Sequence, residues 1–146
     1  MSQLVQHLNQ QLASAVVLAL NAKRYHWTVG GPHFRDYHLR FEELYTAADG
    51  TVDELAERIR MIGGLPIHAP AQIDSQSAAQ VSDPAAKLDA KAMLGEALAN
   101  QERVITLMHQ GIELANQAGD PGTADLLTRF VQVHQKEAWF LREMNG

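Results

Sequence analysis

Residues 25–64 read YHWTVGGPHFRDYHLRFEELYTAADGTVDELAERIRMIGG, and this stretch decides the fold. Apolar residues recur at Phe34, Tyr37, Phe41, Leu44, Ala48, Val52, Leu55, Ile59 and Ile62. Steps of three and four, held for about eight turns, predict one long amphipathic helix from about Phe34 to Ile62. A polar stripe runs beside the apolar one: His38, Glu42, Asp53 and Glu57. At about 100° per residue these four fall within an arc of roughly 100°. An imidazole and three carboxylates on one helical face form a ligand set suited to a divalent transition metal.

The spacing divides that set. His38 and Glu42 are one turn apart, as are Asp53 and Glu57, but Glu42 and Asp53 are separated by eleven residues. That is about 16 Å of helix, too far for one metal. The helix therefore carries two half-sites, each completed from elsewhere. His26 lies six residues before Pro32 and His38 six after it. A tight reversal at Gly30-Gly31-Pro32 brings His26 beside His38 on antiparallel helices. His26, His38 and Glu42 then form one cluster, and Asp53 and Glu57 lack a partner in the chain. A second copy of the helix, antiparallel about a two-fold axis, unites the halves. Taken singly, each residue reads as a structural histidine or a solvated carboxylate. Five in mutually consistent positions favour the metal.

These residues resemble the Dps-type mini-ferritins. The resemblance rests on His26-Trp27, on Gly31-Pro32-His33-Phe34, on His38 and Glu42, on the run from Asp53 to Arg58, and on Gly63-Gly64. It continues at Gly122 to Thr128 and Lys136 to Arg142, covering nearly the whole chain. It implies a ferritin-like four-helix subunit, a hollow homo-dodecamer, and ferroxidase sites shared across two-fold interfaces. The implied activity is oxidation of Fe²⁺ by H₂O₂ or O₂ and storage of the Fe³⁺ mineral, with protection against oxidative stress. Zn²⁺ would suit the site as a competing or inhibitory ion. The alternative is a non-enzymatic shell that binds the nucleoid or sequesters zinc.

The remaining sequence sets the frame. At 146 residues, with 46% apolar residues to fill a core, one domain spanning 1–146 is expected. The first helix is expected over about Ser2 to Val29, with Ser2 as cap. After Gly63-Gly64 a long crossover, 65–89, carries Pro66, Pro70 and Pro84 and a short helix expected at Asp74 to Gln80, capped by Asp74. It joins helices two and three and lets them run parallel or cross over. The third helix is expected over about Asp89 to Ala118, with Gly119 just past its end, and the fourth from near Thr123 to near Met144. No alternating strand pattern occurs, so the fold class is all-α.

Other functions are narrowed by composition. With no cysteine, disulfides, zinc thiolates, iron–sulfur clusters and cysteine nucleophiles are excluded. No Glu-x-x-His pair occurs, which argues against a di-metal site inside one bundle. No basic leader or membrane-length apolar run is present, so a cytoplasmic protein without a membrane partner is expected, nucleoid association left open. The first basic residue is Lys23, and the net charge is -5. DNA binding is not expected near neutral pH without Mg²⁺ bridging.

Several residues carry two readings. His68 in the crossover is a metal ligand or a loop histidine; the former resembles the histidine-enriched sites of cyanobacterial relatives. Asp120 and Asp125 flank the start of the last helix. Helix capping is one reading, and the resemblance implies a three-fold pore for Fe²⁺, weakened by Arg129. Trp27 is interface core or an electron donor. His7, His33, His109 and His134 are expected to be structural or surface residues. Many relatives carry Asp where this chain has Glu42, which remains a competent ligand.

Overall fold

The computed structural model describes residues 2–146. Among them are five helices and no strand: α1 (Gln3–Thr28), α2 (Phe34–Met61), α3 (Pro70–Gln76), α4 (Ala90–Gln117) and α5 (Pro121–Asn145). The four long helices form the bundle. The Ser2 hydroxyl accepts from the Val5 N–H and starts α1; Asp89 does the same for α4 through Ala92. Helices α2 and α4 end where glycine permits a left-handed residue. Gly63 has φ +93° and Gly119 φ +68°. In both places the next N–H reaches back to the third-last helical carbonyl, Gly64 to Ile59 and Asp120 to Ala115.

Neighbouring long helices are antiparallel. His26 lies beside His38 across α1 and α2, and Gln101 beside His134 across α4 and α5. The Tyr25 hydroxyl meets Glu96 across α1 and α4. The Arg40 guanidinium is ion-paired with Glu137 across α2 and α5, both nearly buried. Diagonal helices are therefore parallel, so α2 and α4 point the same way. That arrangement requires the long crossover, which climbs the length of α1. A ladder of α1 side chains pins it: Asn9 to Leu65 and Ile67, Ser14 to Ala78, Asn21 to Gln80 and Ser82, Arg24 to Asp83 and Ala86. Asn9, Ser14 and Asn21 are buried because the crossover's backbone groups need these partners.

Two boundaries differ from expectation. The short helix spans Pro70–Gln76, not Asp74 to Gln80, and Asp74 does not cap it. Pro70 at the first helical position has the right φ and lacks an N–H that would go unpaired there, and the Gln72 side chain accepts from the Ala69 N–H instead. The last helix begins at Pro121 rather than near Thr123, for the same reason, with Asp120 as its cap. The core fills the bundle along its length, with Leu8, Leu55, Ile59 and Leu127 in one cluster and Tyr25, Phe41, Leu94 and Leu141 in another, all within 1% of full burial.

Candidate metal centre

The hairpin between α1 and α2 turns at Gly31, with φ +86°, and at His33, with φ 63°. It stacks the His26 and His38 rings 3.8 Å apart at 15°. Each ring's Nδ1 lies 2.7 Å from the other residue's backbone carbonyl. A carbonyl only accepts, so both Nδ1 atoms carry protons, and in the neutral form each imidazole has its lone pair on Nε2. That tautomer is the one that binds metal, oriented by a carbonyl behind it. Phe34 stacks on the far side of His38, with centroids 5.0 Å apart.

Glu42 joins the pair, its Oε2 lying 3.3 Å from His26 Nε2. A cation joins the cluster as well: the Lys23 ammonium donates to both Glu42 oxygens at 2.9 and 2.7 Å. The hydrogen bond from Lys23 is the main force holding the Glu42 carboxyl below its ordinary range, with the charge of Lys23 assisting against partial desolvation. The sequence held a signal for this contact. His26 and His38 are equidistant from the turn, and the same counting sets Lys23 opposite Phe41 and Glu42.

Asp53 and Glu57 lie on the same face of α2, exposed, and neither has a hydrogen-bond or ion-pair partner among the described residues. Among the described residues no group of three or more His, Cys, Asp or Glu side chains converges on a metal position. The chain thus assembles His26, His38 and Glu42 into contact and leaves Asp53 and Glu57 apart. The bundle interior offers no substitute: among described residues the one buried acid is Glu137, and Arg40 neutralises it.

The outlying candidates separate. His68 is exposed ahead of α3, and only its backbone N–H is engaged, 3.4 Å from Gln72 Oε1. Asp120 is occupied: one oxygen caps Thr123 N at 3.0 Å and meets Arg58 at 2.8 Å, while the other accepts from the Thr123 hydroxyl at 2.6 Å. Burial opposes its charge, but these bonds prevail and hold its carboxyl below the ordinary range. Asp125 is exposed in a cleft with Glu54, Glu57 and Arg129, where Arg129 pairs with Glu54 at 2.9 Å. Trp27 is 72% exposed beside His26. His7 and His134 are buried core residues, bonded to Gln11 and Gln101, and His109 is exposed. No helix among the described residues is long and apolar enough to cross a membrane.

Comparison with known proteins agrees with this architecture. The protein-family model described as a ferritin-like domain matches residues 5–146. The DNA protection during starvation protein 2 of Bacillus anthracis is 35% identical over 140 residues, covering 96% of this chain and 94% of that protein. The structure of Dps from Thermosynechococcus elongatus superposes with a TM-score of 0.95 at 47% identity, over 99% of this chain and 90% of that one. A Dps protein from Vibrio cholerae O1, described as a member of a broad superfamily of ferritin-like diiron-carboxylate proteins, superposes at 0.92 with 27% identity, over 99% and 89%. With its four long helices, its crossover helix and these relatives over nearly its full length, the chain belongs to the Dps-type mini-ferritins of the ferritin-like family.

Proposed function

We propose that this chain is the subunit of a hollow, twelve-membered iron-storing shell that oxidises Fe²⁺ at sites shared by two subunits. The observation that carries the proposal is the division of one ligand set along α2. Two stacked imidazoles, each anchored through Nδ1 by a backbone carbonyl, and the Glu42 carboxylate gather at one end. Two partnerless carboxylates, Asp53 and Glu57, lie on the same face toward the other. A two-fold axis across the middle of α2 interchanges the ends. Asp53 and Glu57 of the partner subunit then meet His26, His38 and Glu42, twice per dimer, about 15–25 Å apart.

The chemistry follows from the donors. Fe²⁺ is the substrate, and imidazole nitrogens hold it. Carboxylate oxygens are hard donors and favour the Fe³⁺ product. Two Fe²⁺ give one electron each to H₂O₂, which with two protons leaves two waters; with O₂ the same site serves a different acceptor. Keeping both reactants at a protein site prevents their meeting free in solution, which is the protective part of the function. Asp125, exposed near the start of α5, suits the entry path better than Asp120, whose oxygens are engaged.

The test is stopped-flow oxidation of Fe²⁺ by H₂O₂ and separately by O₂, with and without protein. The proposal expects rates well above the buffer rate, suppressed by prior loading with Zn²⁺. A protein that binds Fe²⁺ yet leaves the rate at the buffer value is a storage or sequestering shell, and that result overturns the enzymatic reading.

A further inference from the structure

Lys23 stands three residues before His26, one helical turn away on the same face of α1. Its Nζ takes both oxygens of Glu42, at 2.9 and 2.7 Å, and lies 4.2 Å from the centre of the Tyr45 ring. The neighbouring Glu42 contact, His26 Nε2 at 3.3 Å, is on the same oxygen that Lys23 approaches most closely. Both oxygens through which Glu42 would grip a metal are therefore already committed to a cation belonging to the chain. Among the described residues no lysine or arginine is ion-paired with Asp53 or Glu57.

We propose that Lys23 is an internal competing cation: its ammonium must leave Glu42 before a divalent metal takes that carboxylate, so Lys23 sets the affinity and the order in which the two halves of the site fill. This rests on the metal-centre reading above. A dication and an ammonium on one carboxylate repel, so binding there is an exchange of cations and not a simple addition. The lysine stem is long and flexible, and the Tyr45 ring, already 4.2 Å from the ammonium, continues to attract it once Glu42 is released. Metal held by the imidazoles with Asp53 and Glu57 binds first. Metal on Glu42 binds second and more weakly, at a concentration fixed by how tightly Lys23 holds. The Lys23 and Glu42 side chains are 26% and 39% exposed, so water screens the pair and the competition is moderate.

The experiment is a Co²⁺ titration of the assembled, metal-free shell without oxidant, read by the visible absorption of bound Co²⁺ and by calorimetry. The wild type should show two classes of Co²⁺ site. In Lys23→Met the weaker class should tighten on the order of 10-fold, as removal of a charge-assisted, partly exposed pair implies. Lys23→Arg, which keeps the charge, should leave that class weak. The Lys23→Met effect should vanish in a Glu42→Gln background. Lys23→Gln gives the same reading should the methionine variant fail to assemble. A weaker class that is unchanged or weakened when the charge is removed overturns the proposal. His38→Ala separates the two levels: Co²⁺ binding that survives it intact overturns the metal-centre reading itself, whereas binding lost in His38→Ala but indifferent to Lys23 overturns only the competing-cation inference.

Discussion

Lowering the pH from 7 toward 4 should destabilise the bundle through His134. This residue is 1% exposed, its Nδ1 donates to Gln101 Oε1 at 2.8 Å, and its Nε2 is buried without a partner. Burial disfavours its cation and lowers its pKa from 6.5 to about 4. As pH falls through 6.5 the unfolded chain takes up a proton at His134 and the folded chain does not until near 4. The unfolded state binds more protons across that window, so stability is full above 6.5, falls as pH falls, and levels off below about 4. The gap from 6.5 to about 4, at about 1.4 kcal/mol per pH unit, is worth roughly 3 kcal/mol per chain, most of it lost by pH 4.5. His7, whose pKa is lowered by its own burial, acts in the same direction. The assay is urea unfolding followed by circular dichroism at pH 7 and 4.5, at one fixed chain concentration because any self-association contributes to stability. His134→Gln removes the titration while keeping a group able to bond Gln101. The wild type should lose roughly 2–3 kcal/mol more than the variant between the two pH values. Equal losses would refute the reasoning.

Three further outcomes follow from particular contacts. Gly64→Ala puts a Cβ 2.5 Å from Val5 Cγ1 and 3.0 Å from Ile59 Cγ2, so it should destabilise by about 1–3 kcal/mol in thermal or urea unfolding, and an unchanged midpoint would contradict the packing. If His68 of the crossover swings onto the shared site, His68→Ala should weaken Zn²⁺ binding by about 10- to 100-fold; an unchanged titration assigns it to the exposed loop. A protein of net charge -5 per chain should not retard plasmid DNA at about 50 mM salt without Mg²⁺, and tight retardation there would contradict the electrostatic argument.

The helical period exposed α1, α2 and α4 to within one or two residues, because each buries a continuous stripe and each begins or ends on a residue with one clear job: Ser2, Asp89, Gly63, Gly119. The short α3 was misplaced because its seven residues bury nothing fully, so no period betrays it, and Pro70 rather than Asp74 sets its start. The His26–His38 contact was legible because a hairpin pairs residues equidistant from its turn. Lys23 on Glu42 was legible by the same counting, but a search for metal ligands passes over a cation. The Arg40–Glu137 pair was not legible, since the two lie 97 residues apart and Arg40 also has Glu43 at i,i+3 as a local decoy. The ladder of Asn9, Ser14 and Asn21 likewise depends on where the crossover lies. Within α1 alone these polar residues resemble a solvated face.

The most direct measurement of the shared site mixes two inactive variants. His38→Ala and Asp53→Ala are refolded together, and Fe²⁺ oxidation is followed in shells whose mixing is verified by mass. In a mixed dimer one site lacks both groups and the other lacks neither, so the account predicts that part of the wild-type rate returns. If each site were closed within one chain, every subunit would carry a lesion, and verified mixed shells would stay as inactive as their parents; that result would contradict the account and return Asp53 and Glu57 to the solvated face of α2.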